Sequence, residues 1–118
     1  MSNCSCGGTR LIYACSGAAD VGEISDRVAR SLRDESFAKM SCLAGIGADL
    51  KGFIESAQGA CGNVTIDGCQ IACAKKTLER VGIEATSFIL TDWGYKKGET
   101  PATEEVIKEI KEKVKSVK

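Results

Sequence analysis

The sequence predicts an α/β fold, a single three-layer domain around a mostly parallel four-stranded sheet. Three observations carry this. Short apolar or β-branched runs alternate along the chain with segments of helical periodicity. The joints between them carry glycine-containing turn signals. No internal repeat and no long linker divides the 118 residues, a length that suits one domain. Strands alternating with helices imply right-handed crossovers and a parallel sheet covered on both faces. The strand order 2-1-3-4 is expected, because ligand sites in such folds lie where the order switches. The expected organisation is one domain over residues 1–118, with a flexible segment over 1–9 and a C-terminal helix over 100–118.

Residues 10–14 (Arg10-Leu11-Ile12-Tyr13-Ala14) read as a buried first strand, ending in the turn Cys15-Ser16-Gly17. Ile24, Val28 and Leu32 recur every four residues and predict an amphipathic helix over 21–33. Residues 38–44 read as a second strand closed by Gly45 and Gly47. Asp49 is placed to cap a short helix carrying Leu50, Phe53, Ile54 and Ala57. Residues 63–67 form a third strand, followed at once by Gly68-Cys69 and a helix to about Arg80, which Gly82 terminates. Residues 85–91, rich in β-branched and aromatic side chains, form the fourth strand. The loop holding Asp92, Trp93 and Tyr95 follows. It is long enough to cover a site on the same sheet edge, or alternatively to pack on the last helix. Thr100-Pro101 begins that helix, with Glu104 and Glu105 in its first turns and Val106, Ile110 and Val114 as its stripe.

Composition narrows the chemistry. Hydrophobic residues make 43% and charged residues 27% of the chain, the balance of a soluble globular protein. Sixteen basic residues offset sixteen acidic ones, so no charge excess drives binding to nucleic acid or an anionic membrane. Histidine is absent, which removes Ser-His-Asp and Cys-His catalysis and every imidazole zinc ligand. No apolar run approaches the ~18 residues of a membrane span. The N-terminal residues do not read as a signal peptide, so a cytoplasmic protein is expected. Its seven cysteines then read as metal-binding or redox-active sooner than as a disulfide framework.

The predicted topology sorts these cysteines. Cys15 follows the first strand, Cys42 lies near the end of the second, and Cys69 follows the third. Cys73 comes one turn later on the expected helix. All four belong to the carboxyl edge of a parallel sheet. On a helix, at ~100° per residue, Cys69 and Cys73 project within ~40° of each other and away from Ile71 and Leu78. A lone buried cysteine is commonly a small core hydrophobe, which fits poorly for two on the far side of the apolar stripe. Placed at a helix start, Cys69 is expected to form a thiolate more readily. Lys75 and Lys76 can offset further negative charge or form a solvated face. Asp67 can support the sulfurs by accepting a proton, or act as a turn former. Cys61 precedes the third strand and belongs near the opposite edge. Cys4 and Cys6, made flexible by Gly7 and Gly8, are either additional ligands or an exposed redox or metal-binding pair.

The run Ile66-Asp67-Gly68-Cys69-Gln70-Ile71-Ala72-Cys73-Ala74-Lys75-Lys76 resembles the signature of the DGC-domain family, named for its Asp-Gly-Cys motif. Cys15-Ser16-Gly17-Ala18-Ala19-Asp20-Val21-Gly22 and Cys42-Leu43-Ala44-Gly45-Ile46-Gly47-Ala48 resemble two further segments of that family, in the same order. The resemblance covers about residues 10–98. It implies zinc binding through four cysteines that map onto Cys15, Cys42, Cys69 and Cys73, and it implies no settled enzymatic activity.

Three functions follow as expectations. The first is a metal-binding protein with zinc on those four thiolates, with Cys4 and Cys6 as possible additional ligands and Asp67 and Lys75 beside them. The second is a thiol redox or sulfur-transfer enzyme, in which Cys69 attacks and Cys73 or Cys15 resolves; its Cys-x3-Cys spacing departs from the Cys-x2-Cys of thioredoxin-like motifs. The third is an iron–sulfur protein. The phosphatase loop Cys-x5-Arg is excluded, since Val21 occupies the arginine position. The metal ion is the one expected partner; nucleic acid and membrane are not, and the sequence names no protein partner.

Overall fold

A computed structural model describes residues 9–117. Four strands, β1 (Arg10–Ala14), β2 (Lys39–Met40), β3 (Gly62–Asp67) and β4 (Thr86–Ile89), form one sheet in the order β2-β1-β3-β4. Every pairing is parallel, with Ile12 opposite both Met40 and Val64, and Ile66 opposite Phe88. The expected class and strand order are both present.

The strands' alternation divides the core in two. Ile12, Ala14, Val64, Ile66 and Phe88 face a layer made by α1 (Asp20–Asp34) and α5 (Glu104–Ser116), where Ile24, Val28, Leu32, Ile110 and Val114 are buried. Tyr13 faces the other way, onto Ile46, Ala57, Leu78 and Ile83. That second layer is built from α2 (Leu43–Gly47), α3 (Lys51–Gly59) and α4 (Cys73–Arg80). Burial pushes the Tyr13 phenol up to about 12. Its hydroxyl donates to Asn63 Oδ1 at 2.8 Å, and Asn63 Nδ2 donates to Ala57 O at 3.0 Å. The α1–α5 layer is also tied by charge. Lys111 and Lys115 both hold Glu35, and their hydrogen bonds pull its carboxyl down to about 2.

Several boundaries differ from the sequence reading. The second strand stops at Met40, and the glycines expected to close it lie within α2. Gly45 is there because a Cβ would come within 2.5 Å of the Phe53 ring. Asp49 does not cap α3: Leu50 occupies that place, and Asp49 has left-handed backbone with its carboxylate on Arg80 at 2.8 Å. The fourth strand ends at Ile89 in a 3-10 turn over Leu90–Trp93. The last helix starts at Glu104 rather than near Pro101, because the Thr103 side chain caps it by accepting from Val106 N–H. Ile107 is more deeply buried than Val106 in its stripe.

The helix after β3 differs most. It begins at Cys73, four residues later than expected, and Ala72 before it has left-handed backbone with φ of 55°. Cys69 is therefore in a turn, not on the helix. The helical argument that aligned Cys69 with Cys73 and lowered the cost of a thiolate at Cys69 does not hold. Ile71, expected on an apolar stripe, is exposed, while Leu78 is fully buried. Gly82 ends the helix in left-handed backbone, as the sequence predicts.

Candidate functional site

All-parallel pairing brings the carboxyl ends of the strands to one edge, and the order reverses between β1 and β3. The loops leaving those two strands pack directly on each other. A Cβ on Gly68 would lie 2.7 Å from the Val21 carbonyl carbon, and one on Gly22 would lie 2.4 Å from Gly17 O. Glycine at position 68 lets the β3–α4 loop rest on the first turn of α1, and glycine at position 22 lets the β1–α1 loop fold back on that same turn.

Cys15 sits in this crossing. Its N–H donates to Ile66 O at 3.0 Å, which extends the ladder with β3 by one residue. Its sulfur accepts the Gly68 N–H at 3.4 Å and lies 3.3 Å from the Ser25 hydroxyl. Ser25 is fully buried and donates its proton to Gly22 O at 2.7 Å. While that proton faces Gly22, the Cys15 thiol is the donor to Ser25. A sulfur that loses its proton can instead receive the Ser25 proton, so the pocket accommodates both forms. The next residue, Ser16, holds a left-handed φ of 53° and is pinned by its own hydroxyl on Asp26 Oδ1 at 2.9 Å.

Asp67 is 1% exposed. Its carboxylate accepts the N–H groups of Ala74 at 2.7 Å and Lys75 at 3.0 Å, satisfying two amides at the start of α4. Burial nevertheless pushes its carboxyl above the ordinary value, against the pull of those two amides and of Lys75 and Lys76. Asp67 thus holds the helix start that presents Cys73, and Lys75 meets it through its backbone. Cys69 is half-buried, with Lys97 Nζ 3.9 Å from its sulfur. Gln70 donates to Thr91 Oγ1 at 3.2 Å and to Asp92.

The loop after β4 therefore does reach this edge, but not through its aromatic residues. Trp93 packs on Phe88 with ring centroids 5.6 Å apart and lies under Lys113 of α5. Tyr95 donates to Glu109 of α5. The reading of Trp93 and Tyr95 as a cover for the site gives way to packing on the last helix. The tether is Asp20, which accepts the N–H groups of Gly98 at 2.8 Å and Thr100 at 3.0 Å, and these hold its carboxyl below the ordinary value. Asp20→Asn is expected to speed amide hydrogen exchange at Gly98 and Thr100 while leaving the β1 and β3 amides protected. A depressed carboxyl contributes above its unfolded value and is lost as pH falls through its folded one, so acid should loosen the same two amides in the wild type.

Cys15, Cys42, Cys69 and Cys73 are all free thiols, and Cys42 and Cys73 are exposed. Among the described residues, no three Cys, Asp or Glu side chains are grouped closely enough to hold one ion. The edge therefore carries the four sulfurs on three segments, with Cys73 opening α4 shortly after Cys69, and without a ready coordination sphere. Cys61, just before β3, is disulfide-bonded. Cys4 and Cys6 lie outside the described residues. Sequence reasoning missed Ser25, Lys97 and the tethering role of Asp20. Ser25 had a visible signal, a hydroxyl one helical turn after Gly22, but nothing local pointed it at Cys15. Among the described residues no helix is long and apolar enough to cross a membrane.

Fold and site together define an α/β protein whose switch-point loops carry cysteines on a glycine-packed scaffold. The chain belongs to the DGC domain family, whose profile matches residues 11–114. It is also similar to the anaerobic and virulence modulator AnvM of Pseudomonas aeruginosa, with 34% identity over 88 residues, 74% of this chain and 67% of that protein. No solved structure matches the chain.

Proposed function

We propose that this chain is a metal-binding protein, with zinc held by the thiolates of Cys15, Cys42, Cys69 and Cys73. One observation supports it above the others: the free thiols follow successive strands on one sheet edge, in a chain without histidine. Four thiolates would suit Zn²⁺, a borderline-soft ion that cysteine sulfur binds readily. The side chains fit that ion in chemistry but are not grouped around it as they stand. Binding then requires the sulfurs to come closer together than they stand. Asp67 supports the shell through the start of α4, beside Lys75. The Ser25 hydroxyl and Gly68 N–H support the Cys15 sulfur once it is deprotonated. A cytoplasmic location belongs to the same proposal, supported by the four free thiols and not by Cys61, which is disulfide-bonded.

Elemental analysis of protein purified without added metal tests this. The expected result is about one zinc per chain, retained through gel filtration. Serine at Cys15, Cys42, Cys69 or Cys73 should each lower retention, and Cys61→Ser should not. Iron with a visible absorption band would replace zinc by an iron–sulfur cluster. A folded chain that takes up neither metal, even when zinc is supplied, would overturn the proposal.

A further inference from the structure

Beside the thiol edge runs an open groove of about 880 Å³, within the size range of small-molecule sites. Its apolar wall includes Leu11, Met40, Leu43 and Phe53. Of the four free thiols it takes Cys15 and Cys42 into its lining and leaves out Cys69 and Cys73. The two lining cysteines leave adjacent strands: Met40 pairs with Ile12, and Ser41 N–H donates to Ile12 O at 3.0 Å. Three cations, Arg30, Arg33 and Lys39, line the groove with the carboxylate of Asp26, and Arg33 is paired with Asp34 at 3.0 Å, which leaves Arg30 and Lys39 as its charged groups for a ligand. Asp26 is already engaged, accepting from Arg30 Nε at 2.7 Å and from Ser16 Oγ at 2.9 Å. Arg30 keeps its η nitrogens to donate, and Lys39 makes no ion pair among the described residues.

We propose that this groove binds a small anionic disulfide, its carboxylates on Arg30 and Lys39 and its sulfur–sulfur bond against Cys42 and Cys15. The cationic rim selects negative charge, and the two thiols are the groups with which a disulfide reacts. Cys42 is exposed and attacks first, as its thiolate. A bond forms between Cys42 and one ligand sulfur, the ligand's own bond breaks, and the second half leaves with the electron pair as a thiolate. Cys15 then attacks Cys42, forming a Cys15–Cys42 disulfide and releasing the other half. Two protein thiols are oxidised, one disulfide is reduced, and the two protons lost by the protein end on the two released thiols. The step needs no further oxidant. It does not rest on metal binding, although a metal on the same two sulfurs would compete with it.

The test uses the full chain after chelator treatment, so that its outcome is independent of whether the wild type carries zinc. The probes are glutathione disulfide, which is anionic, and cystamine, which is cationic, with products located by peptide mass spectrometry. Cys42 should react with the anionic probe roughly tenfold faster than with the cationic one, at the low end of electrostatic steering. The product should proceed to a Cys15–Cys42 disulfide, and Cys15→Ser should stop it at the mixed disulfide on Cys42. Arg30→Glu with Lys39→Glu should reverse the charge preference at Cys42 and leave that at Cys73 unchanged, in a variant with unaltered circular dichroism. Equal rates with both probes at Cys42, a preference that survives the charge reversal, or modification confined to Cys73 would each overturn the proposal.

Discussion

Gly68→Ala is expected to lower the unfolding free energy by about 3 kcal/mol, the upper end of the overpacking range. The added Cβ would meet three backbone atoms of the first turn of α1: Val21 C at 2.7 Å, Val21 O at 2.8 Å and Gly22 N at 2.9 Å. Backbone cannot rotate aside as the end of a flexible side chain can, so one loop must move. The same movement would draw the Gly68 N–H away from the Cys15 sulfur. Gly22→Ala is expected to cost as much, since its Cβ would come within 2.4 Å of Gly17 O. Gly52→Ala is the control. It lies in α3 with nothing within 4 Å of the added atom, and should be neutral or stabilising by about 0.5–1 kcal/mol. Urea unfolding of the three variants checks this. A Gly68→Ala midpoint equal to that of Gly52→Ala would show that the two loops do not touch as described.

Asp67→Ala is expected to cost about 2–4 kcal/mol, because it leaves two amides at the head of α4 without an acceptor. The pH dependence gives a sharper reading. The folded carboxyl is raised above its ordinary value of 3.8 by burial. A raised carboxyl gives its full contribution below its unfolded value and loses part of it as pH rises through the folded one. The stability gap between wild type and D67A should therefore narrow as pH climbs from below 3.8 through that folded value. A gap that widens over this window would mean that the two amides outweigh burial.

Much of this was legible along the chain. Ile24, Val28 and Leu32 at helical spacing announced α1. Arg10–Ala14 announced a central strand, and its Ile12 and Tyr13 are completely buried. The DGC family could be recognised from three cysteine-bearing motifs, and its profile does match. The site was less legible. The start of α4 was misread because the residues from Cys69 to Ala72 have acceptable helix formers, and nothing local shows that Ala72 turns left-handed. The groove was invisible because its cations come from α1 and β2 and its apolar wall from β1, β2, α2 and α3.

The sequence by itself determined the alternating layers and the family, because periodic burial and glycine turns are written into neighbouring residues; the order β2-β1-β3-β4 was expected from the fold-level rule of the switch point and is fixed by strand pairing. The tertiary structure alone decided how the sulfurs are held. Gly68 meets the sulfur of Cys15 across 53 positions, Lys97 meets Cys69 across 28, and Asp20 meets Thr100 across 80. Such contacts leave no period in the sequence. They exist only once the sheet has brought the carboxyl ends of its strands together; the Gly68 and Thr100 contacts depend on amides that another element satisfies, and the Lys97 contact on two side chains meeting across loops.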